Sequence, residues 1–251
     1  MLEVYQILYQ STRLLQGKCS DTSNWDYDCF DEKQLLADMI NTQHTLCLNY
    51  YHFNKMVIAY LFHRFDEALS MAIEAEKTLM FTFGWLSIAE HCFFHSLILT
   101  ALYPNANDEL KKEYLVTLGL NLEKLKQWMD NCPENFSHKY YLVKAEIEQL
   151  TKNKTLAANQ YNLAIDSAEK FGFLQHLALA NELAAQSWFR AGKEKIANAY
   201  LDEAYYAYLQ WGANAKAEVL KSQHSYAVSP QIFLENPNVK SSSDLDLSAV
   251  L

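Results

Sequence analysis

Glycine and proline are scarce, at 6 and 4 among 251 residues. Hairpins and tight turns draw on both, so the scarcity excludes a chain of many short strands and favours long helices. The 5 cysteines, at positions 19, 29, 47, 92 and 132, are odd in number, scattered and without a C-x-x-C spacing. That argues against a disulfide framework or a zinc site and fits reduced thiols in a cytosol. An apolar run of the roughly 20 residues that a membrane span requires is missing too. The best candidate, Cys92 to Tyr103, is short and carries His95, Ser96 and Thr100. Met1 to Gln10 includes Glu3 and has no basic stretch before an apolar block, so no secretory leader is read there. Clustered positive charge is also lacking. The net charge of −9 argues against a general nucleic-acid binder, since phosphate contacts need grouped Lys and Arg. These absences lead to a cytoplasmic protein with neither nucleic acid nor membrane among its expected partners.

What the chain does contain is a pattern of small residues between Tyr140 and Lys216. Ala145, Ala157 and Ala164 are spaced by twelve and seven, and Ala185, Ala197 and Ala204 repeat that spacing forty residues later. Tyr161 and Leu201 each stand three before the last alanine. Small residues mark where two antiparallel helices approach closely, and the bulky residue fills the gap beside them. An earlier, drifted copy keeps Ala68 and Ala75 but has Met56 in the first small-residue slot. A larger side chain there pushes the helices apart or demands a compensating gap.

Taken in order, Leu2 to Gln16 reads as a helix with the stripe Val4, Ile7, Leu8, Leu14 and Leu15, stopped by Gly17. Lys18 to Asp31 reads as a polar loop from which Trp25 and Tyr27 tuck back. Its acids, Asp21, Asp26, Asp28 and Asp31, lack the glycine and glutamate positions of a calcium loop, so they are read as a solvated turn. Glu32 to Phe62 is helical with a break near Asn41-Thr42, and a second helix follows His63-Arg64. Gly84 to Tyr103 is a strongly apolar helix stopped by Pro104, and Asp108 is placed to cap the long helix after it. Turns are expected at Asn131–Asn135, Thr151–Lys154 and Ala191–Lys193, and a last helix runs from Ala213 to about Lys221. Beyond it Pro230, Pro237 and Ser241–Ser243 read as a linker.

Three blocks carry a resemblance. They are Asn131-Cys132-Pro133-Glu134-Asn135-Phe136 with His138-Lys139-Tyr140, then Ala178-Leu179-Ala180-Asn181-Glu182-Leu183-Ala184-Ala185, then Tyr208-Leu209-Gln210-Trp211-Gly212-Ala213-Asn214-Ala215-Lys216. Together they resemble the tetratricopeptide-like region of large bacterial, especially cyanobacterial, multi-sensor signalling kinases. In that family a serine/threonine kinase domain and a P-loop ATPase precede the helical region, and a GAF sensor and a histidine kinase follow it. The tail from Leu245 to Leu251 is similar to the segment leading into the GAF domain. The resemblance therefore implies a helical domain over 1–221, and a linker with the start of a sensor region over 222–251.

No catalytic residue of such a kinase is carried over. The chain has no G-x-G-x-x-G, no G-x-x-x-x-G-K-[ST] and no D-F-G, and His63-Arg64-Phe65-Asp66 places its aspartate one residue late for a catalytic loop. His91 and His95 stand i,i+4 and could grip a metal, but Cys92 replaces the glutamate a zincin needs. They read as polar positions on a mostly buried helix. Tyr208 and Trp211 share a stripe with Ala204 and read as packing, whereas Tyr205 and Tyr206 turn away. Glu182, Tyr205 and Lys216 are the candidate partner contacts. The plainer reading of Glu182 and Lys216 is an exposed helix charge and a dipole partner at a helix end.

The sequence thus predicts an all-α, right-handed solenoid of antiparallel helix pairs, with about ten helices. Its expected role is a non-catalytic interaction and relay module, partnered by neighbouring domains and needing no cofactor or metal. A free-standing adaptor or peptide sensor shares the fold, and a metal-dependent helical enzyme at His91 and His95 is the remaining alternative.

Overall fold

The computed structural model describes residues 2–19, 22–23, 25, 31–82, 87–151 and 153–223. Asp21, Asp26, Asp28, Tyr27, Gly84 and the expected linker and sensor start beyond residue 223 lie outside them. Eleven α-helices are present among the described residues, packed antiparallel in sequence order. They are α1 (Leu2–Leu15), α2 (Glu32–Asn41), α3 (Thr45–Leu61), α4 (Phe65–Glu76), α5 (Ser87–Leu102) and α6 (Asp108–Asn131). Then come α7 (Pro133–Leu150), α8 (Lys154–Phe171), α9 (Leu174–Arg190), α10 (Glu194–Trp211) and α11 (Asn214–Gln223). Contacts divide the chain into two compact units, with the boundary between Asn121 and Leu122 inside α6.

One turn recurs along the chain. A residue with positive φ is followed by one whose amide reaches back five positions to a helix carbonyl. Gly172, Gly192 and Gly212 take the left-handed place at φ 78°, 69° and 93°. Behind them Phe173 donates to Ala168, Lys193 to Trp188 and Ala213 to Tyr208, at 2.9, 3.0 and 2.9 Å. In the first unit, Gln43 and His63 occupy the same place at φ 55° and 61°, with His44 donating to Met39 and Arg64 to Ala59. This satisfies carbonyls that a helix end would otherwise leave orphaned, and it reverses the chain in two or three residues. Gly17 makes the same turn in the first unit, at φ 76° with Lys18 donating to Arg13, so the strain of a side chain in that region is confined to Gln43 and His63.

In the first unit α3 lies against α1, α2, α4 and α5. Trp25 is fully buried there, edge-on to Tyr51 at 6.1 Å and under the Lys55 ammonium at 5.7 Å. Lys55 and the Tyr51 hydroxyl both bond Glu32 Oε1 at 2.6 Å, which ties α2 to α3. Asp31, expected in a solvated acidic turn, caps α2 by accepting from the Gln34 amide at 2.9 Å. Met56, Ala68 and Ala75 of the drifted alanine copy are all at 0 % exposure, as is Ala72. Nearly all faces of α5 are buried, as suits its apolar composition. Its Ser96 is satisfied internally by the Cys92 carbonyl and the Asn121 amide. The cap of α6 corrects the sequence reading: Asn107, not Asp108, accepts from the Leu110 amide at 2.9 Å. Asp108 instead opens the helix, where its charge favours the positive end.

In the second unit the most extensive packing joins α7 to α8 and α9 to α10. Ala145, Ala157, Ala164, Ala185, Ala197 and Ala204 are all fully buried, and so, within 2 %, are Tyr161 and Leu201. Backbones approach closely at the alanines, and Tyr161 and Leu201 fill what the small residues leave open.

Candidate functional site

The second unit keeps its buried polar groups on one set of helices. Ser137, His138, Lys139 and Glu146 lie on α7, His176, Asn181 and Glu182 on α9, and Lys216 on α11, while the buried residues of α8 and α10 are apolar or aromatic. A polar seam therefore follows the first helix of each successive pair. Burying such groups costs several kcal/mol each, roughly, unless they pair. Their pairing is what the site consists of.

Glu182 and Lys216 are the centre of the seam. Their side chains are each 1 % exposed, and Lys216 Nζ sits 2.7 Å from Glu182 Oε1. Tyr208 donates its hydroxyl to Glu182 Oε2 at 2.6 Å, and the Lys216 ammonium stands 5.7 Å from the Tyr208 ring centre. Gln186 reaches Oε1 at 3.5 Å. The plainer sequence reading made Glu182 an exposed helix charge and Lys216 a dipole partner at a helix C-terminus; the structure instead buries both, with Lys216 in the first turn of α11, because three helices close around them. In this conformation they face each other and Tyr208 rather than a surface. Both carboxylate oxygens are engaged by donors, which makes the group a clamp joining α9, α10 and α11. Glu146 repeats the theme, accepting from the buried Tyr161 hydroxyl. Burial pushes its carboxyl above the usual range, while the Arg190 charge and the Tyr161 bond pull it back.

Toward the start of α7 a second cluster forms. His138 Nε2 lies 3.0 Å from His176 Nδ1 and 3.2 Å from Lys139 Nζ, and its ring stacks on Phe173 at 4.3 Å. Lysine has only protons to offer, so Nε2 accepts and the His138 proton resides on Nδ1. Burial, then the neighbouring His176 and Lys139, hold the His138 pKa well below 6.5. The ring thus stays neutral in the fold but gains a proton on unfolding below pH 6.5. The unfolded chain binds more protons in that window, so stability falls as pH drops from about 6.5 toward the folded pKa. We expect denaturant midpoints to decrease over that range, and the His138→Phe variant to flatten the slope. An unchanged slope in the variant would remove His138 as its source.

The remaining candidates separate. Tyr205 is partly exposed and its hydroxyl is 3.5 Å from Glu218, while Tyr208 and Trp211 are buried, as their helical stripe implied. His91 is buried and its Nε2 stands 2.9 Å from the Ala72 carbonyl, so that nitrogen carries a proton and donates. The Ala72 carbonyl thereby fixes the His91 tautomer with Nδ1 as the accepting nitrogen, and the rings of His91 and His95 lie 5.5 Å apart. The histidine cluster escaped the sequence reading. Its available signal was spacing, since His138 and His176 are 38 residues apart, close to the repeat length.

The chain matches no protein-family model and no solved structure. Among characterised proteins it is similar to Hybrid signal transduction histidine kinase G of Dictyostelium discoideum. Identity is 27 % over 234 residues, covering 79 % of this chain and 7 % of that protein. The likeness is to part of a signalling kinase. It accords with the kinase resemblance read from the three sequence blocks, and the chain corresponds to a small fraction of its relative's length.

Proposed function

We propose that this chain is a non-catalytic interaction and relay region of a multidomain signalling kinase, built as a right-handed, tetratricopeptide-like superhelix. The observation that carries the reading is the similarity of 79 % of the chain to 7 % of a hybrid histidine kinase. The recurring turn and the doubled alanine pattern support the repeat architecture. In such a stack each pair contacts its neighbours, so a partner on one face biases the curvature of the whole. The region would couple an ATPase module before it to a GAF-type sensor after it, in the cytoplasm. Glu182 and Lys216 would serve by stiffening the α9–α11 end of the relay, and Tyr205 by meeting a partner.

The test is co-purification of the chain with an ATPase module and a GAF-type sensor module of such a kinase, each produced separately. Binding to one of them, weakened several-fold by Tyr205→Ala, is the expected result. Binding to neither, with kinase autophosphorylation unchanged when these residues are deleted, would overturn the proposal.

A further inference from the structure

Away from the polar seam, three donor atoms converge in the first unit. A carboxylate oxygen of Glu3, a ring nitrogen of His44 and the Cys47 thiol all lie within 4.8 Å of one another. Glu3 is in the first turn of α1, whereas His44 is the N-cap residue of α3 and Cys47 its third residue. The strained Gln43 turn sets His44 at that end, and the His44 side chain makes no capping bond to the helix. Its Nδ1 points at Glu3 Oε1 from 3.4 Å, beyond the usual range of a nitrogen–oxygen hydrogen bond. Cys47 is a buried free thiol in the first turn of α3, and burial and the Glu3 charge push its pKa up, so a bound cation would have to displace its proton.

From this geometry we infer a divalent-cation site, of zinc type, formed by Glu3, His44 and Cys47. Sulfur, imidazole and carboxylate form a mixed ligand set that zinc accepts. Tetrahedral zinc with bonds of about 2.0–2.3 Å spaces its ligands about 3.3–3.7 Å apart. The donors therefore need to close by roughly 1.5 Å at most. His44 and Glu3, with side chains 48 % and 26 % exposed, have the rotamer freedom to do so. The same exposure leaves room for water in the fourth position. On binding, the zinc–sulfur bond forms as the Cys47 S–H proton leaves to solvent, with no change of oxidation state. The ion would bridge α1 to α3, and the inference stands independently of the relay reading.

Zinc titrated into the full chain against a chromophoric chelator tests it, with cobalt(II) as the spectroscopic probe. One equivalent of zinc per chain is expected, with a thiolate-to-cobalt charge-transfer band that disappears in Cys47→Ser. His44→Ala and Glu3→Gln lie at partly exposed positions and leave the helices in place, as far-UV circular dichroism will verify. Each should weaken zinc binding at least about tenfold, since losing a ligand exceeds the loss of an outer-shell partner. Zinc left wholly with the chelator, or uptake unchanged in all three variants, would overturn the site.

Discussion

Lys216→Met is expected to destabilise the unit containing α7 to α11 by about 3–5 kcal/mol, because it leaves the Glu182 carboxylate buried without its cation. Glu182 is held by two donors, at 2.7 Å from Lys216 and 2.6 Å from Tyr208, in a site almost closed to water. Removing the ammonium preserves most of the side-chain volume, so the loss reports charge rather than a cavity. The pair itself is a different quantity. Both charges gave up hydration to enter this site, and their attraction offsets that cost only in part. Glu182→Leu, Lys216→Met and Tyr208→Phe together remove both charges and the Tyr208 hydroxyl bonded to Glu182. The triple variant should therefore recover most of the stability lost by Lys216→Met alone. Urea denaturation of the parent, Lys216→Met and the triple variant gives the comparison. A single variant within about 1 kcal/mol of the parent would mean that the pair is solvated, since exposed pairs are worth that little.

The second large effect is expected from Ala164→Leu and Ala204→Leu, each costing roughly 1–3 kcal/mol. Both alanines have no exposed surface, and each sits where the second helix of a pair meets its neighbours. A leucine there adds three carbons to a close-packed contact and forces the helices apart or the side chain off its rotamer. Because the two positions are equivalent in the repeat, their costs should be similar. Thermal melts of both variants measure this. Unchanged transitions in both would remove the basis for reading the alanine spacing as a helix–helix contact.

Much of this architecture was legible along the chain. Alanine spacing depends on local geometry, because every third or fourth residue returns to the same helix face, and so it marks the packed face of α8 and α10 directly. Glycine at 192 and 212 likewise announces a left-handed turn. The breaks near Asn41-Thr42 and at His63-Arg64 were expected, but not the positive φ of Gln43 and His63, since neither residue type requires it. Tertiary packing imposes it there, and a sequence pattern has no marker for imposed strain.

The candidate sites were the least legible part. A glutamate and a lysine on helices are ordinarily surface residues, so composition assigns Glu182 and Lys216 to solvent. Their burial depends on each finding the other 34 residues away, across two intervening turns. Glu3 on α1 likewise meets His44 and Cys47 at the start of α3 through the packing of the two helices. By itself the sequence determined a helical architecture, most of its turns, though not the one at Gly172, and the face on which the alanine repeats pack, because those follow from neighbours within a few residues. Only the tertiary structure decided which charges are buried and which donors converge, because long-range contacts set the local solvent, and the solvent decides what a charged side chain does.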